Sequence, residues 1–240
     1  MCGRYTLTRP DQALLRRFDL FDLPELAPRF NIAPTQLAPI VRRKKGEAAG
    51  SAHARELVLA QFGLIPSWVQ DPASAPKMIN ARVEGVAEKP AYRDAFARRR
   101  CLVPADGFFE WKRLDGKRKQ PYWIHLADRE LFAFAGLWER WYDPTGRRIE
   151  SFAILTCPPS SSIAELHDRM PVILPPESYG EWLDPGIQSP EALGSFLQPF
   201  PAQKLRLEPV STRVNDPTHD DPECLAPPQP EEPPKQGSLF

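Results

Sequence analysis

The 240-residue chain has no apolar run long enough to span a bilayer, and its first thirty residues contain no uninterrupted apolar core of a secretory signal. No membrane partner is expected, and the chain reads as cytoplasmic. Cysteine is scarce: Cys2, Cys101, Cys157 and Cys224 lie far apart and form no C-x-x-C pair. That spacing argues against a zinc site or a dithiol redox motif and for reduced thiols. No cofactor or metal site is implied. Net charge is also absent, with 31 basic residues against 31 acidic ones, so the overall balance does not point to nucleic acid. There is no internal repeat and no regular alternation of strands with helices, which disfavours a fold of βαβ units.

What is present is unevenly placed. From Asp216 onward the chain has six acids and one base, leaving 30 bases and 25 acids in residues 1–215. The bases cluster at 42–45 (RRKK), 98–100 (RRR), 112–119 and 147–148. Each run can be an ordinary solvated face; together they permit a phosphate-contacting surface.

Short segments rich in β-branched and aromatic residues recur, among them ELVLAQF, RCLVPADGFFEW, PYWIHLA, LFAFAGLW, ESFAILTC, MPVIL and LRLEPV. Short helices are expected after Thr8 and Pro10, with Leu14, Leu15 and Phe18 on one face, at 90–99, and at 160–168 with Ser162 and Glu165 as a capping pair. Two more are expected near 175–183 and 189–197. This pattern predicts a single α+β domain over residues 2–215, built on a curled, barrel-like, mainly antiparallel sheet flanked by short helices. Residues 216–240, proline-rich, acidic and poor in apolar side chains, read as a disordered tail.

Several polar residues sit oddly for a plain core. Cys2 follows the initiator methionine; if Met1 is removed, its amine and thiol form a 1,2-aminothiol, which closes a thiazolidine ring on an aldehyde. Both groups titrate near neutrality, at about 8 to 8.5. The alternative is a small buried hydrophobe. In MINARVEG the strand period places Asn80, Arg82 and Glu84 on one face, either solvated or forming a hydrogen-bonding wall. Glu110 lies inside the aromatic stretch GFFEW, where burial would raise its pKa toward acid–base use. His167 ends a helix just before an apolar strand, a place for either a structural or a catalytic imidazole. Pro34, Trp68 and Trp111 could line a channel for unstacked bases, or simply pack.

MCGRY, RFNIAPTQ, GLIPSW, INARVE, RRRCLVPADGFFEWK, FAGLWE, AILTCPPSSSIAELHDRMPVIL and PVSTRVN, in this order, resemble the SOS-response-associated peptidase (SRAP) family of abasic-site processing proteins from Cys2 to about Asn215. The resemblance implies an enzyme that loses Met1 by autoproteolysis, senses abasic sites in single-stranded DNA and forms a thiazolidine crosslink through Cys2, with AP-lyase and crosslink-reversal activity as further expectations. It implies Cys2 as nucleophile, Asn80 positioning amine and thiol, Glu110 activating the amine and assisting release, and His167 opening the sugar ring. Arg4, Arg82 and Arg169 match basic positions near the DNA backbone. The chain departs from the family pattern at Phe62, where Trp is expected, and at Gly85, where Thr is expected and a looser turn beside Asn80 would follow. The alternatives kept open are a peptidase acting through Cys2 and a non-covalent DNA-binding module. The terminal QGSLF resembles a sliding-clamp motif, with Gln236, Leu239 and Phe240 as its anchors. A monomer, associated with the nucleoid when bound to DNA, is the expected state.

Overall fold

In the computed structural model, which describes residues 2–47, 54–73, 78–115 and 118–229, five strands close into a barrel. They are β3 (Leu37–Arg43), β4 (Arg55–Phe62), β6 (Arg100–Ala105), β9 (Phe132–Tyr142) and β10 (Arg148–Cys157). The order is β10-β4-β3-β6-β9, and β9 returns to β10. An odd number of strands cannot close with antiparallel pairs alone. Here β10 runs parallel to β4 at Ser151↔Gln61 and Phe152↔Phe62. Beyond β4, the short β5 (Asn80–Arg82) continues along the same edge, pairing Asn80 with Ile154 and Arg82 with Thr156. β11 (Met170–Pro171) and β12 (Ile173–Leu174) extend the same mouth on β10 and β9.

A second sheet packs against the barrel in the order β13-β8-β7-β1-β2, using β1 (Tyr5–Leu7), β2 (Arg29–Ile32), β7 (Gly107–Arg113), β8 (Lys119–Leu126) and β13 (Leu205–Pro209). One core runs through both sheets. Tyr5 and Phe108 of the second sheet each meet Phe134 of β9 edge to face, the arrangement that the aromatic quadrupole favours. The expected barrel-like α+β domain is what is found.

The helices are short and lie outside the sheets: α1 (Gln12–Phe18), α2 (Arg93–Arg98), α3 (Ser161–Ala164), α4 (Tyr179–Leu183) and α5 (Pro190–Gly194). Two start signals differ from the sequence expectation. Asp11, not Thr8, caps α1 by accepting from Ala13 N, because Thr8 is committed to the Asp106 carboxylate through both its amide and its hydroxyl. The N-cap of α3 is Ser160 without a side-chain cap bond, so the Ser162/Glu165 capping pair does not form. No helix among the described residues is long and apolar enough to cross a membrane.

The tail boundary at 216 is corrected. Residues 216–229 are ordered: Asp220 accepts the amides of Phe30 and Asn31 and pairs with Arg29, Arg213 pairs with Asp221 at 2.6 Å, and Cys224 is buried in a small cluster with Phe109, Trp123, Val210 and Val214. Composition read the segment as solvated because its acids have cationic and amide partners only in three dimensions. Gln236, Leu239 and Phe240 lie outside the described residues.

Candidate functional site

The four residues implied as catalytic come from both sheets. Cys2 enters β1, Glu110 sits in β7, Asn80 opens β5, and His167 follows α3 on the way to β11. Their meeting place is the seam where the second sheet crosses the β5 mouth of the barrel.

Cys2 is fully buried, and its backbone carbonyl accepts from Asn80 Nδ2 at 3.1 Å. The same amide reaches Ile154 O at 3.5 Å, and Tyr92 Oη donates to Asn80 O at 3.0 Å, which fixes the short strand. Asn80 Oδ1 is buried with no protein partner. A buried unmet acceptor costs about 1–3 kcal/mol, so this oxygen is held ready for a donor. Burial pushes the Cys2 thiol well above its ordinary range and the Glu110 carboxylate adds to this, while the amino-terminal charge and a hydrogen bond from the Arg4 amide act the other way.

Glu110 is 3% exposed. Burial raises its pKa to about 7; the amino terminus, by charge and hydrogen bond, lowers it, and the Asp168 carboxylate raises it. A carboxyl balanced at neutrality can both take and return a proton. His167 is held below the usual histidine value, first by burial and then by the amino-terminal charge, against the pull of Asp168. Its Nδ1 accepts from the Arg169 amide at 3.0 Å and lies 2.8 Å from Asp168 Oδ1. In the neutral ring that amide bond leaves the proton on Nε2, whereas the charged ring can donate to Asp168. Asp168 and Tyr92 were not singled out from the sequence. Adjacency to His167 was an available signal for Asp168; Tyr92 carried none.

A cavity of about 420 Å³ opens over this seam, lined by Glu110, Trp111, Lys112, Arg113, Lys119 and His167 among others. Trp111 and Lys119 also line a larger groove of about 1040 Å³ that continues past Arg118, Arg213 and His219. Trp111 Nε1 donates to Asn215 Oδ1 at 2.7 Å, so the C-terminal segment sets the tilt of this ring. Trp68 is 66% exposed and Pro34 is half-buried.

The three arginines differ. Arg82 is exposed on β5. Arg4 is held by Asn31 Oδ1 at 3.0 Å and by the carbonyls of Val214 and Asn215 at 2.8 and 3.3 Å. Arg169 forms a two-point pair with Glu84 at 2.5 and 2.8 Å and donates to Thr156 O. The alternating face expected through Glu84 ends at Arg82, since Val83–Gly85 form a 3-10 turn that swings Glu84 onto Arg169. Gly85 has ordinary negative-φ backbone, and a Cβ there would meet Lys89 Cε at 3.5 Å; the turn is held regardless by Gly85 O accepting from Lys89 N at 3.1 Å. Phe62 fills its place by stacking on Phe152 with centroids 5.1 Å apart.

A family model described as SOS response associated peptidase (SRAP) matches residues 1–217. The abasic site processing protein YoqW of Bacillus subtilis is 40% identical over 229 residues, covering 94% of this chain and 99% of that protein. The abasic site processing protein HMCES of Mus musculus is 30% identical over 271 residues, covering 95% of this chain and 76% of that protein. The crystal structure of a Bacteroides thetaiotaomicron protein superposes with a TM-score of 0.81 at 27% identity, covering 94% of this chain and 99% of that one.

Proposed function

Because the chain belongs to the SOS response associated peptidase family, we propose that it processes abasic sites in single-stranded DNA, with Cys2 as the group that captures the lesion. The observation that carries this reading is the meeting of Cys2, Asn80, Glu110 and His167 at one seam beside a cavity whose lining includes Lys112, Arg113 and Lys119.

Once Met1 is removed, the freed amine attacks the aldehyde carbon of the ring-opened sugar and water leaves, giving an imine. The thiol then adds to the imine carbon, its proton passes to nitrogen, and a thiazolidine forms with the DNA backbone intact. β-Elimination from the imine, in which a base removes a C2′ proton while the C3′–O bond breaks and the 3′ phosphate leaves, is the competing lyase route; reversal of the crosslink retraces the capture steps. Glu110, titrating at about 7, takes the ammonium proton and returns one on release. Neutral His167, protonated on Nε2, is the donor for the sugar ring oxygen. Asn80 Oδ1 is the waiting acceptor for the amine. Acid–base help of this kind is worth on the order of 100- to 10,000-fold.

Arg82 and Trp68 are free to meet a phosphate and a base, and Pro34 and Trp111 border the strand's path. Arg4 and Arg169 act chiefly through charge and by fixing the seam, since their terminal guanidinium nitrogens are committed to Asn31, Glu84 and backbone carbonyls. The same site serves removal of Met1: both Glu110 and His167 feel the amino-terminal charge. The terminal QGSLF tethers the protein to the sliding clamp, a step that clamp binding unchanged in a Leu239→Ala, Phe240→Ala double variant would overturn.

The test of the main reading is a denaturing gel of mass-verified protein mixed with single-stranded DNA carrying one abasic site. A heat-stable shifted band from the wild type and none from Cys2→Ala is expected. No band from correctly processed wild type would refute covalent capture; Cys2-dependent turnover of an unrelated peptide would favour a peptidase instead.

A further inference from the structure

Two basic runs more than fifty residues apart, RRKK at 42–45 and RRR at 98–100, meet at the mouth of the barrel opposite the catalytic seam. That mouth is formed by the C-terminal end of β3 and the N-terminal ends of β4, β6 and β10. The two runs divide between ion pairs and a pocket. Arg42 and Arg99 turn to acidic partners, Arg42 to Glu56 and Glu150 and Arg99 to Glu139. Arg43, Lys44, Lys45, Arg98 and Arg100 instead line one pocket of about 350 Å³.

The charge there is poorly compensated. Arg43 has Asp184 at 3.1 Å, and among the described residues Glu47 is the one acid in the lining. Among the described residues no carboxylate lies within ion-pair distance of Lys44, Lys45 or Arg98. Arg100 is 4% exposed, and its five donors all go to backbone carbonyls, those of Phe96, Ala97, Trp182, Asp184 and Ile187. Burial lowers its pKa to about 10, which still leaves it charged at neutral pH. It therefore supplies positive field from beneath the pocket without offering a donor, while Lys44, Lys45 and Arg98 are exposed and available above it.

We propose that this pocket is a second phosphate-binding site, a strand length from the catalytic seam, which grips the backbone of the same nucleic acid outside the lesion. The proposal rests on the DNA-processing reading for the identity of its ligand. Three exposed cations over a buried one suit successive phosphodiesters, and the separation between mouths means that only a strand long enough to pass around the barrel engages both. Single-strand sites of this charge-tracking kind span about 4–16 nucleotides.

The experiment compares wild type with a Lys44→Ser, Lys45→Ser, Arg98→Ser variant. Non-covalent binding is read by fluorescence anisotropy on lesion-free strands of about 5 and about 30 nucleotides over a salt series, bracketing the expected site size. For the long strand, the variant should bind on the order of tenfold or more weakly, and its log K against log salt slope should shrink by about 2, near 0.7 per lost phosphate contact. Binding to the short strand, crosslinking to a short abasic strand and the melting temperature should be unchanged. Equal affinities and slopes on the long strand would overturn the proposal. So would equal weakening on short and long strands, which would reduce the cluster to a general field. Reduced binding of inorganic tripolyphosphate with no change on the long strand would overturn it in favour of a small-anion site. Failure of wild-type crosslinking would leave these binding arms readable, so the two readings fail separately.

Discussion

Glu110 titrates at about 7 because burial outweighs the nearby amino-terminal charge, and this has opposite consequences for rate and stability. As a base it is competent only when ionised, so crosslinking by the wild type should rise with pH through about 7. Glu110→Gln should lose that limb and fall by roughly 100-fold or more; a variant profile with the same limb would assign it to another group. For stability the sign reverses. A carboxyl whose folded pKa lies above its unfolded value near 4.5 destabilises the fold progressively as pH rises from 4.5 to 7. At about 1.4 kcal/mol per pKa unit this reaches roughly 3 kcal/mol. Glu110→Gln should therefore melt higher than wild type above pH 7, with the two curves converging below about pH 4.5. Sequence showed that Glu110 lies among aromatics; which face of β7 was buried depended on the barrel behind it, and so did its titration.

At the scale of elements, the N-terminal strand is held in place by its neighbours' turns and termini. Gly107 begins β7, and a Cβ there would fall 2.0 Å from Trp123 Nε1, a ring atom that itself donates to Thr6 at 3.1 Å. Gly107→Ala should cost about 1–3 kcal/mol through overpacking, read from the urea midpoint with a shift in tryptophan emission. On the other edge, Asp220 ties the C-terminal segment to β2. Asp220→Ala leaves the Phe30 and Asn31 amides without that acceptor, at about 1–3 kcal/mol for each one left buried and unpaired. Faster hydrogen exchange at those two amides is the expected signature, and unchanged exchange would show that water or another group replaces the carboxylate. Strands were legible as elements because apolar and β-branched runs bounded by turn residues have few other uses. Thr8 as a helix start and the tail boundary at 216 were not, because each depended on a distant partner: the Asp106 carboxylate for Thr8, and the amides and Arg29 of β2 for Asp220.

For the whole molecule, all four cysteines are free and buried, and burial raises the pKa of each thiol. In the unprocessed, folded chain a disulfide-exchange dye should react slowly with every one, and all four should react at once in denaturant; rapid reaction of one thiol before unfolding would mean that the seam opens readily. The sequence by itself determined the class of fold, the set of short strands and, through a run of motifs in fixed order, the family; the four residues that the resemblance implied are the ones we propose for the seam's chemistry. Local pattern suffices for these because periodicity and motif order are properties of the chain. It could not determine that Asn80 Oδ1 lacks a partner, that the terminal guanidinium nitrogens of Arg4 and Arg169 are bound within the protein, or that two basic runs share a pocket at the far mouth. Those facts depend on which distant groups come within about 3–4 Å, the range of a hydrogen bond or ion pair, and only closure of the barrel against the second sheet sets those distances.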